Sequence, residues 1–199
     1  MRFSLKVFAS VLVITLLFSF IPFEAECKEI STKVFRIHIL ANSDSNDDQQ
    51  LKLKVRDAVI LKSEELFRGV KDFETAKKTA GENLDLFAKT AGEVIESQGY
   101  DYNVKATVKN LYFDTRYYGD VTMPGGFYDA LQISIGKAEG KNWWCVMYPS
   151  LCLFSSSDNN TLKDNLTKNE YGIVTSKGKM KIKFKVVELF TGFLNFFSK

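Results

Sequence analysis

The chain has 199 residues, of which 45% are hydrophobic, and a formal net charge of +3 with a single histidine. This length allows one domain with a sizeable core, and so small a net charge gives no reason to expect a nucleic-acid partner. One histidine also leaves too few ligands for a typical transition-metal site, so we expect neither a metal nor another cofactor.

Residues 1–27 have the pattern of an export signal. Arg2 and Lys6 precede an apolar run, and Ala25 and Cys27 loosely follow the small-residue spacing of a processing site. The pattern predicts a signal peptide over 1–27 or an uncleaved N-terminal membrane anchor, because the apolar run is close to the length that spans a bilayer. In either case we expect residues 28–199 to form a single exported globular domain.

The N-terminal half of this domain is predicted to hold one strand and two long helices. Residues 34–41 alternate as a strand does, and turn-forming residues follow. Ser45 with Asp48 three residues later predicts the N-cap of the first helix. The second helix is predicted from Asp72 to Gly99, because its apolar residues keep helical spacing.

The C-terminal half is predicted to complete a sheet. Strands are expected over 102–109, 127–135 and 142–148, and the aromatic residues that follow the first of these extend it. Polar residues near 155–178 predict a long loop, and the apolar spacing after it predicts a C-terminal amphipathic helix. The order of elements predicts an α/β (α+β) fold with an antiparallel or mixed sheet.

Cysteine usage is consistent with export. If processing follows Cys27, then Cys145 and Cys152 remain as an even pair in an oxidising compartment. We predict a disulfide between them, and two free buried thiols are the alternative.

No catalytic motif is visible. A nucleophilic triad would have to use His38, the only histidine, and nothing around it supports that role. A hydrolase that uses paired carboxylates stays open, because several acidic side chains can converge in the fold. The candidates are Asp114, Asp120, Asp129 and Glu139.

Several sequence blocks, in order along the chain, resemble the stage II sporulation protein R family. The first contains Arg36-Ile37-His38-Ile39-Leu40-Ala41-Asn42-Ser43-Asp44, Asp48-Gln49, Leu51-Lys52 and Lys54-Val55-Arg56-Asp57-Ala58-Val59. The second contains Pro124, Gly126, Tyr128, Ala130-Leu131, Ile135-Gly136 and Asn142-Trp143-Trp144-Cys145-Val146. Pro149, Leu151-Cys152 and Phe184-Lys185-Val186-Val187-Glu188 continue the resemblance to the end of the chain.

The resemblance implies a signalling protein without chemistry of its own. Members of the family are exported from the forespore into the space between forespore and mother cell. There they activate a membrane-embedded aspartic protease, which removes the pro-sequence of the mother-cell sigma factor. We therefore expect this protease as the partner and no enzymatic activity in the chain itself.

The partner-binding surface is predicted around the first block. Arginine forks can pair with carboxylates of a partner, and tryptophan often anchors interfaces. The candidates are Arg36, His38, Asn42, Ser43, Asp44, Asp48, Gln49, Lys52, Arg56, Trp143 and Trp144. Two structural alternatives stay open: Arg36 pairs with Asp48 or Asp57 within the fold, and one tryptophan packs in the core.

The C-terminal helix has two expected roles, since its apolar face can complete the core or rest on a membrane surface close to the protease. Two other functions also stay open. One is the exported hydrolase, acting on cell-wall or peptide substrates, and the other is a membrane-anchored scaffold that keeps its leader.

Overall fold

The computed structural model describes residues 7, 11, 22–151, 159–176, 180 and 183–186. Contacts within the chain group it into two compact units. The sheet unit comprises residues 32–111 and 128–167, and the hairpin unit comprises residues 1–31, 112–127 and 168–199. Helices together with a mixed sheet confirm the predicted α/β (α+β) class.

A mixed sheet organises the sheet unit. Its strands are β1 (Phe35–Leu40), β2 (Val104–Phe113), β5 (Gly126–Ile135) and β6 (Asn142–Tyr148), in the spatial order β2-β5-β1-β6. β1 runs parallel to β5 and antiparallel to β6, so the first strand lies inside the sheet and β2 and β6 form its edges. The four strands predicted from alternation are confirmed, and β6 ends at a cis peptide bond between Tyr148 and Pro149.

β1 is buried on both faces, although two of its side chains are polar. Ile37 and Ile39 on one face are fully buried, and Arg36 and His38 on the other are only 0% and 5% exposed. Alternation of apolar and polar residues usually marks a strand with one solvated face. Here it marks an inner strand with one apolar and one buried polar face.

The first helix, α2 (Asn46–Leu66), begins where the sequence predicts. The Ser45 hydroxyl accepts a hydrogen bond from the backbone N–H of Asp48 at 3.2 Å, so Ser45 is the N-cap. Leu51, Val55 and Val59 are buried at helical spacing along one side. The predicted cap and helix are both confirmed.

The second predicted helix is divided in two. α3 (Phe73–Glu82) and α4 (Leu84–Ser97) meet at Asn83. The Asn83 side chain donates to the carbonyl of Thr79 at 2.8 Å, and the Asn83 carbonyl accepts from the N–H of Phe87 at 3.0 Å. Asparagine side chains compete with the backbone in this way, which ends one helix and starts the next.

The hairpin unit contains two short strands and helical segments. β3 (Arg116–Tyr118) and β4 (Val121–Met123) pair antiparallel around Gly119, whose φ of +57° favours glycine. Residues 22–31 belong to a helix, α1, in which Phe23, Cys27 and Ile30 are buried. The Phe23 ring lies 5.4 Å from that of Phe184, measured between centroids.

The polar segment near 155–178 requires a correction, because it contains helices. α5 (Asn159–Asn165) belongs to the sheet unit and α6 (Lys168–Val174) to the hairpin unit. Leu162 and Leu166 are both buried and lie four residues apart. This helical spacing of two apolar residues is obscured by the polar residues around them.

Two predictions fall largely outside the described residues. Of the predicted C-terminal helix, residues 183–186 are described and are helical. Of the predicted leader, residues 7, 11 and 22–27 are described, and these too are helical. Within the described ranges, no helix has both the length and the hydropathy needed to cross a membrane.

Candidate functional site

The candidate site lies at the end of the sheet where β1 and β5 both terminate. Parallel strands place their carboxyl ends at the same edge, so the loops that follow them are neighbours. The N–H of Gly140 donates to the carbonyl of Ala41 at 3.0 Å, and the N–H of Glu139 donates to that of Asn42 at 3.2 Å. The loop over 136–141 is thereby bonded to the turn over 41–45.

Glycine permits this close approach at two positions of the second loop. A Cβ at Gly140 would overlap the backbone carbonyl of Ser43. A Cβ at Gly136 would overlap the side chain of Asn42, and Gly136 also has a φ of +56°. Both residues therefore depend on the absence of a side chain.

Asp48 is the centre of the polar turn. It is 4% exposed, and its carboxylate accepts hydrogen bonds from the Asn42 amide at 2.9 Å and the Ser43 hydroxyl at 2.5 Å. Burial alone would raise the pKa of Asp48. The hydrogen bonds from Ser43, Asn42, Tyr102 and Ser45 outweigh burial and hold the pKa below its usual value.

The next turn of α2 carries a buried lysine. Lys52 is 4% exposed, and its ammonium donates to the side-chain oxygen of Gln49 at 2.6 Å and to the carbonyl of Lys141 at 2.8 Å. The Gln49 amide in turn donates to the Ser43 carbonyl at 2.8 Å. Burial lowers the pKa of Lys52, Asp44 opposes this, and the cationic Lys141 and Arg56 lower the pKa further.

Arg56 and Trp143 form the more exposed part of the site. The guanidinium carbon of Arg56 lies 5.3 Å from the centre of the Trp143 ring, which is within cation–π range. The same guanidinium pairs with Asp57 at 2.7 Å. The Asp57 carboxylate is therefore paired with Arg56, its neighbour in the chain.

His38 and Trp144 lie on the opposite face of the sheet. Their rings stack with centroids 3.7 Å apart and an interplanar angle of 3°. Burial lowers the pKa of His38, while a hydrogen bond with Asn142 acts in the opposite direction. His38 is therefore held in its neutral form more strongly than a solvated histidine would be.

Arg36 lies further inside the same face. Its Nε donates to the carbonyl of Cys145 at 3.4 Å, and its guanidinium lies 4.9 Å from the centre of the Tyr128 ring. Arg36 and His38 are thus interior residues, and the partner contact expected of them stays a prediction.

The predicted surface residues divide into three groups. Asn42, Ser43 and Asp44 lie in the turn, with Asp48 of α2 hydrogen-bonded to it, and Gln49, Lys52, Arg56 and Trp143 lie beside it. Arg36, His38 and Trp144 belong to the other face of the sheet. Lys141 joins the second group although the sequence did not indicate it, because 89 residues separate it from Lys52 and only the strand pairing brings them together.

The described residues do not include both cysteines of the predicted disulfide. Cys145 is buried in β6, and Cys152 lies outside the described residues. The pairing of Cys145 with Cys152 stays a prediction.

The carboxylates considered for hydrolysis have other partners where the structure describes their contacts. Asp129 pairs with Lys77 at 2.6 Å and accepts a hydrogen bond from Asn110 at 3.0 Å. Burial would raise the pKa of Asp129, but the contacts with Lys77 and Asn110 lower it overall. A general acid needs the opposite shift. Asp114 lies 3.9 Å from Arg116, and the described ranges contain no group of three metal-ligating side chains.

A small cleft also lies in the sheet unit, between α2 and the end of β6. Its volume is about 170 Å³, and apolar side chains such as Ile60, Phe67 and Val146 line it beside Glu64 and Arg68. These residues present no pairing of nucleophile and base.

Comparison with known proteins identifies the sequence blocks within residues 31–158 as familial. A family model described as "Stage II sporulation protein R" matches residues 31–158. The chain is also 36% identical over 138 residues to the stage II sporulation protein R of Bacillus subtilis (strain 168), a match that covers 68% of this chain. The match spans 60% of that protein's own length. No solved structure matches the chain.

Proposed function

Because the chain belongs to the stage II sporulation protein R family, we propose that it is an exported signalling protein of sporulation. In this proposal it is released between forespore and mother cell and activates a membrane-embedded aspartic protease there. The protease then removes the pro-sequence of the mother-cell sigma factor. The observation that supports the proposal most is the family match over 31–158, which includes the whole polar turn and the strands beside it.

The proposed mechanism is a shift of the protease between inactive and active states. A bound protein shifts such an equilibrium only by the difference between its affinities for the two states. The exported domain must therefore bind the active protease more tightly, and it needs no reaction of its own. The C-terminal helix is proposed to rest on the membrane near the protease, where its apolar face and lysines suit a lipid surface.

The hydrolase alternative has less support from the geometry. Asp129 is engaged by a lysine and an asparagine, and its pKa is lowered, so it is poorly suited to donate a proton at neutral pH. No observation in the described residues favours a second catalytic carboxylate beside it.

The proposal is tested by following the sigma-factor precursor by immunoblot in a sporulating strain that lacks this gene. We expect the precursor to persist, and cleavage to return when the full chain is supplied from the forespore. A chain without residues 2–21 is the matched control, since it should accumulate in the forespore cytoplasm and leave the precursor uncleaved. Normal cleavage in the strain without the gene would refute the proposed function.

A further inference from the structure

β2 is an edge strand of the sheet, and solvent reaches it along most of its length. Residues 104–111 of β2 belong to the sheet unit, and none of them is buried. The last strand of a sheet presents backbone N–H and C=O groups that no neighbouring strand satisfies. Such a strand is a template onto which a further strand can be added.

Two contacts fix how β2 lies against its neighbour β5. The N–H of Gly136 donates to the carbonyl of Asn103 at 2.8 Å, and the Asn110 amide donates to the Asp129 carboxylate at 3.0 Å. From 103 to 110 on one strand and from 136 to 129 on the other, the chain passes the same number of residues in opposite directions. The two strands therefore run antiparallel, without a bulge between these points.

The antiparallel pattern determines which backbone groups of β2 point out of the sheet. Residues in such a pair alternate between those that bond to the neighbouring strand and those whose N–H and C=O point away from it. Because Asn103 bonds to Gly136, the odd-numbered residues of β2 bond to β5. The outward backbone groups are those of Val104, Ala106, Val108 and Asn110. Where the structure describes contacts, none engages these outward groups, and we call residues 104–110 the β2 edge.

The side chains of the β2 edge alternate between an apolar row and a basic row. Val104, Ala106 and Val108 form the apolar row, and all three are partly exposed. Lys105 and Lys109 form the basic row on the other face, and both are exposed. A strand added at this edge would cover the apolar row and place its own side chains beside the two lysines.

The strands of the sheet offer the basic row no carboxylate. Asp129 is the only acidic residue in the four strands, every residue of which the structure describes. It lies on the face of the apolar row and pairs with Lys77 at 2.6 Å. The carboxylates in the segments that adjoin β2 and β5 lie beyond the ends of these strands: Asp101, Asp114, Asp120 and Glu139. An added strand with acidic side chains would therefore supply a negative charge that the sheet lacks on this face.

A second copy of the chain is a poor occupant of the β2 edge. The common two-fold pairing of edge strands is antiparallel, and matching the two faces centres it on one residue. For every centre from Lys105 to Lys109, a lysine of one copy lies opposite or diagonal to a lysine of the other, about 5–8 Å away. Like charges at these positions destabilise the pairing.

We propose that the β2 edge binds an extended segment of the partner protein, which is added to the sheet as a further strand. The segment alternates apolar residues, which pack on the apolar row, with acidic residues beside Lys105 and Lys109. Main-chain hydrogen bonds supply the affinity in this mode of binding, and the alternating side chains supply the specificity. The inference rests on the proposed function, in which the partner is the membrane-embedded protease.

The experiment measures binding of the full chain to the detergent-solubilised protease. Ala106→Pro is the first test variant, because proline removes an outward N–H and leaves the hydrogen bonds to β5 in place. Ala106→Ser is its matched control, since serine keeps the N–H. Lys109→Glu tests the basic row, and Lys89→Glu, at an exposed lysine of α4, is its control. Thermal melting of each variant checks that the fold is retained.

We expect Ala106→Pro to weaken binding roughly tenfold or more, because one main-chain hydrogen bond is lost and the ring disturbs its neighbour. Lys109→Glu should weaken binding several-fold, because it places a like charge beside the acidic segment. Ala106→Ser and Lys89→Glu should bind as the wild type does.

Hydrogen exchange at single amides gives a second readout that needs no variant. In the chain alone, the outward amides of Ala106 and Val108 should exchange faster than the inward amides of Thr107 and Lys109. Bound protease should protect the outward amides, so that the alternation along β2 disappears. Contact through side chains alone would leave the alternation in place.

Three results would overturn the inference. The first is unchanged affinity in a folded Ala106→Pro variant, and the second is alternation of exchange that persists in the complex. The third is a dimer of the wild-type chain that Ala106→Pro dissociates while protease binding is unchanged, which would assign the edge to a second copy. If Ala106→Pro does not fold, the exchange measurement decides.

These results differ from failure of the proposed function, because precursor cleavage would still depend on the gene in each of them. Absence of any binding by the wild type, with normal cleavage in cells without the gene, would instead refute the proposed function itself.

Discussion

Asp48 connects the turn after β1 to the first turn of α2. Its carboxylate accepts from Asn42 and Ser43, and its backbone N–H is bound by the capping hydroxyl of Ser45. A negative charge in the first turn of a helix is also favoured by the helix dipole. One side chain therefore binds two donors of the turn and lies in the first turn of the helix that follows.

We predict that Asp48→Asn lowers the free energy of unfolding by about 1–3 kcal/mol, because an amide at this position presents donors to the donors of Asn42 and Ser43. The pKa of Asp48 is lower in the folded than in the unfolded chain, so its contribution is complete above the unfolded value and is lost as pH falls through the folded one. Denaturant unfolding between about pH 5 and pH 3 should then show a smaller loss of stability in Asp48→Asn than in the wild type.

Asp47→Asn is the control for that measurement, since Asp47 is exposed in the same helical turn. Equal effects of the two substitutions would contradict the role given to the Asp48 carboxylate.

Sequence patterns at single residues predicted local structure more reliably than they predicted which side chains are buried. The Ser45 cap depends on neighbours within one turn, and the sequence alone identifies it. The burial of Arg36 and His38 depends on β1 lying between β5 and β6, a fact about distant strands. For this reason both were predicted at the partner surface and are found inside the fold.

The two loops at the end of the sheet act as one element. The turn over 41–45 and the loop over 136–141 share backbone hydrogen bonds, and Gly140 lies against the carbonyl of Ser43. The stability of this element therefore depends on how closely the two backbones approach each other at Gly140.

We predict that Gly140→Ala destabilises the chain by more than about 2 kcal/mol, because the added methyl group meets backbone atoms that cannot move away separately. Gly92→Ala is the matched control, since Gly92 lies inside α4 with open space around it. Alanine there should stabilise the chain by about 0.5–1 kcal/mol. Thermal unfolding of the two variants tests the contrast, and similar melting temperatures would refute it.

At the level of elements, the sequence predicted whether a segment is a helix or a strand more reliably than it predicted the residues at which the segment begins and ends. The apolar period that predicts one helix from Asp72 to Gly99 continues through Asn83, so periodicity cannot detect the break there. The signal for the break is the asparagine side chain and its bond to Thr79. The same limitation applies to α5 and α6, whose few apolar residues give too short a period to recognise.

The number of reactive thiols among the three cysteines tests both the predicted disulfide and the predicted processing of the chain. Burial, together with the nearby Glu26 and Glu24, raises the pKa of the Cys27 thiol to about 12. We therefore expect Cys27 to resist alkylation at neutral pH in the folded chain, since the thiolate is the reactive form. In denaturant without reductant, the full chain should expose one thiol if Cys145 and Cys152 are bonded.

Mass spectrometry after alkylation gives the thiol count directly. A reduced sample, in which all three thiols react, is the control. Three reactive thiols without reductant would refute the disulfide. If the chain is exported as proposed, a secreted form without a reactive thiol would show that processing removes Cys27, and with it Phe23, whose ring packs on Phe184 in the hairpin unit.

The order of strands in the sheet was beyond prediction from the sequence. Alternation identifies strands, but the pairing of β1 with β5 and β6 depends on contacts between residues far apart in the chain. Prediction of the candidate site was limited for the same reason. Lys141 joins Lys52 only because β6 lies beside β1, whereas Asp48 and Ser43 are close in sequence and could be grouped from the first block alone.

The position of β1 has a consequence for how the protein is made. Arg36 aligns with Ala130, and Ile37 with Cys145, so roughly 90 residues must be synthesised after β1 before either neighbour exists. At about 5–20 residues per second, this interval lasts roughly 5–20 s. During this interval β1 has neither of its neighbouring strands and stays unpaired. A chain that is exported as proposed would therefore lack this strand pairing for several seconds of its synthesis.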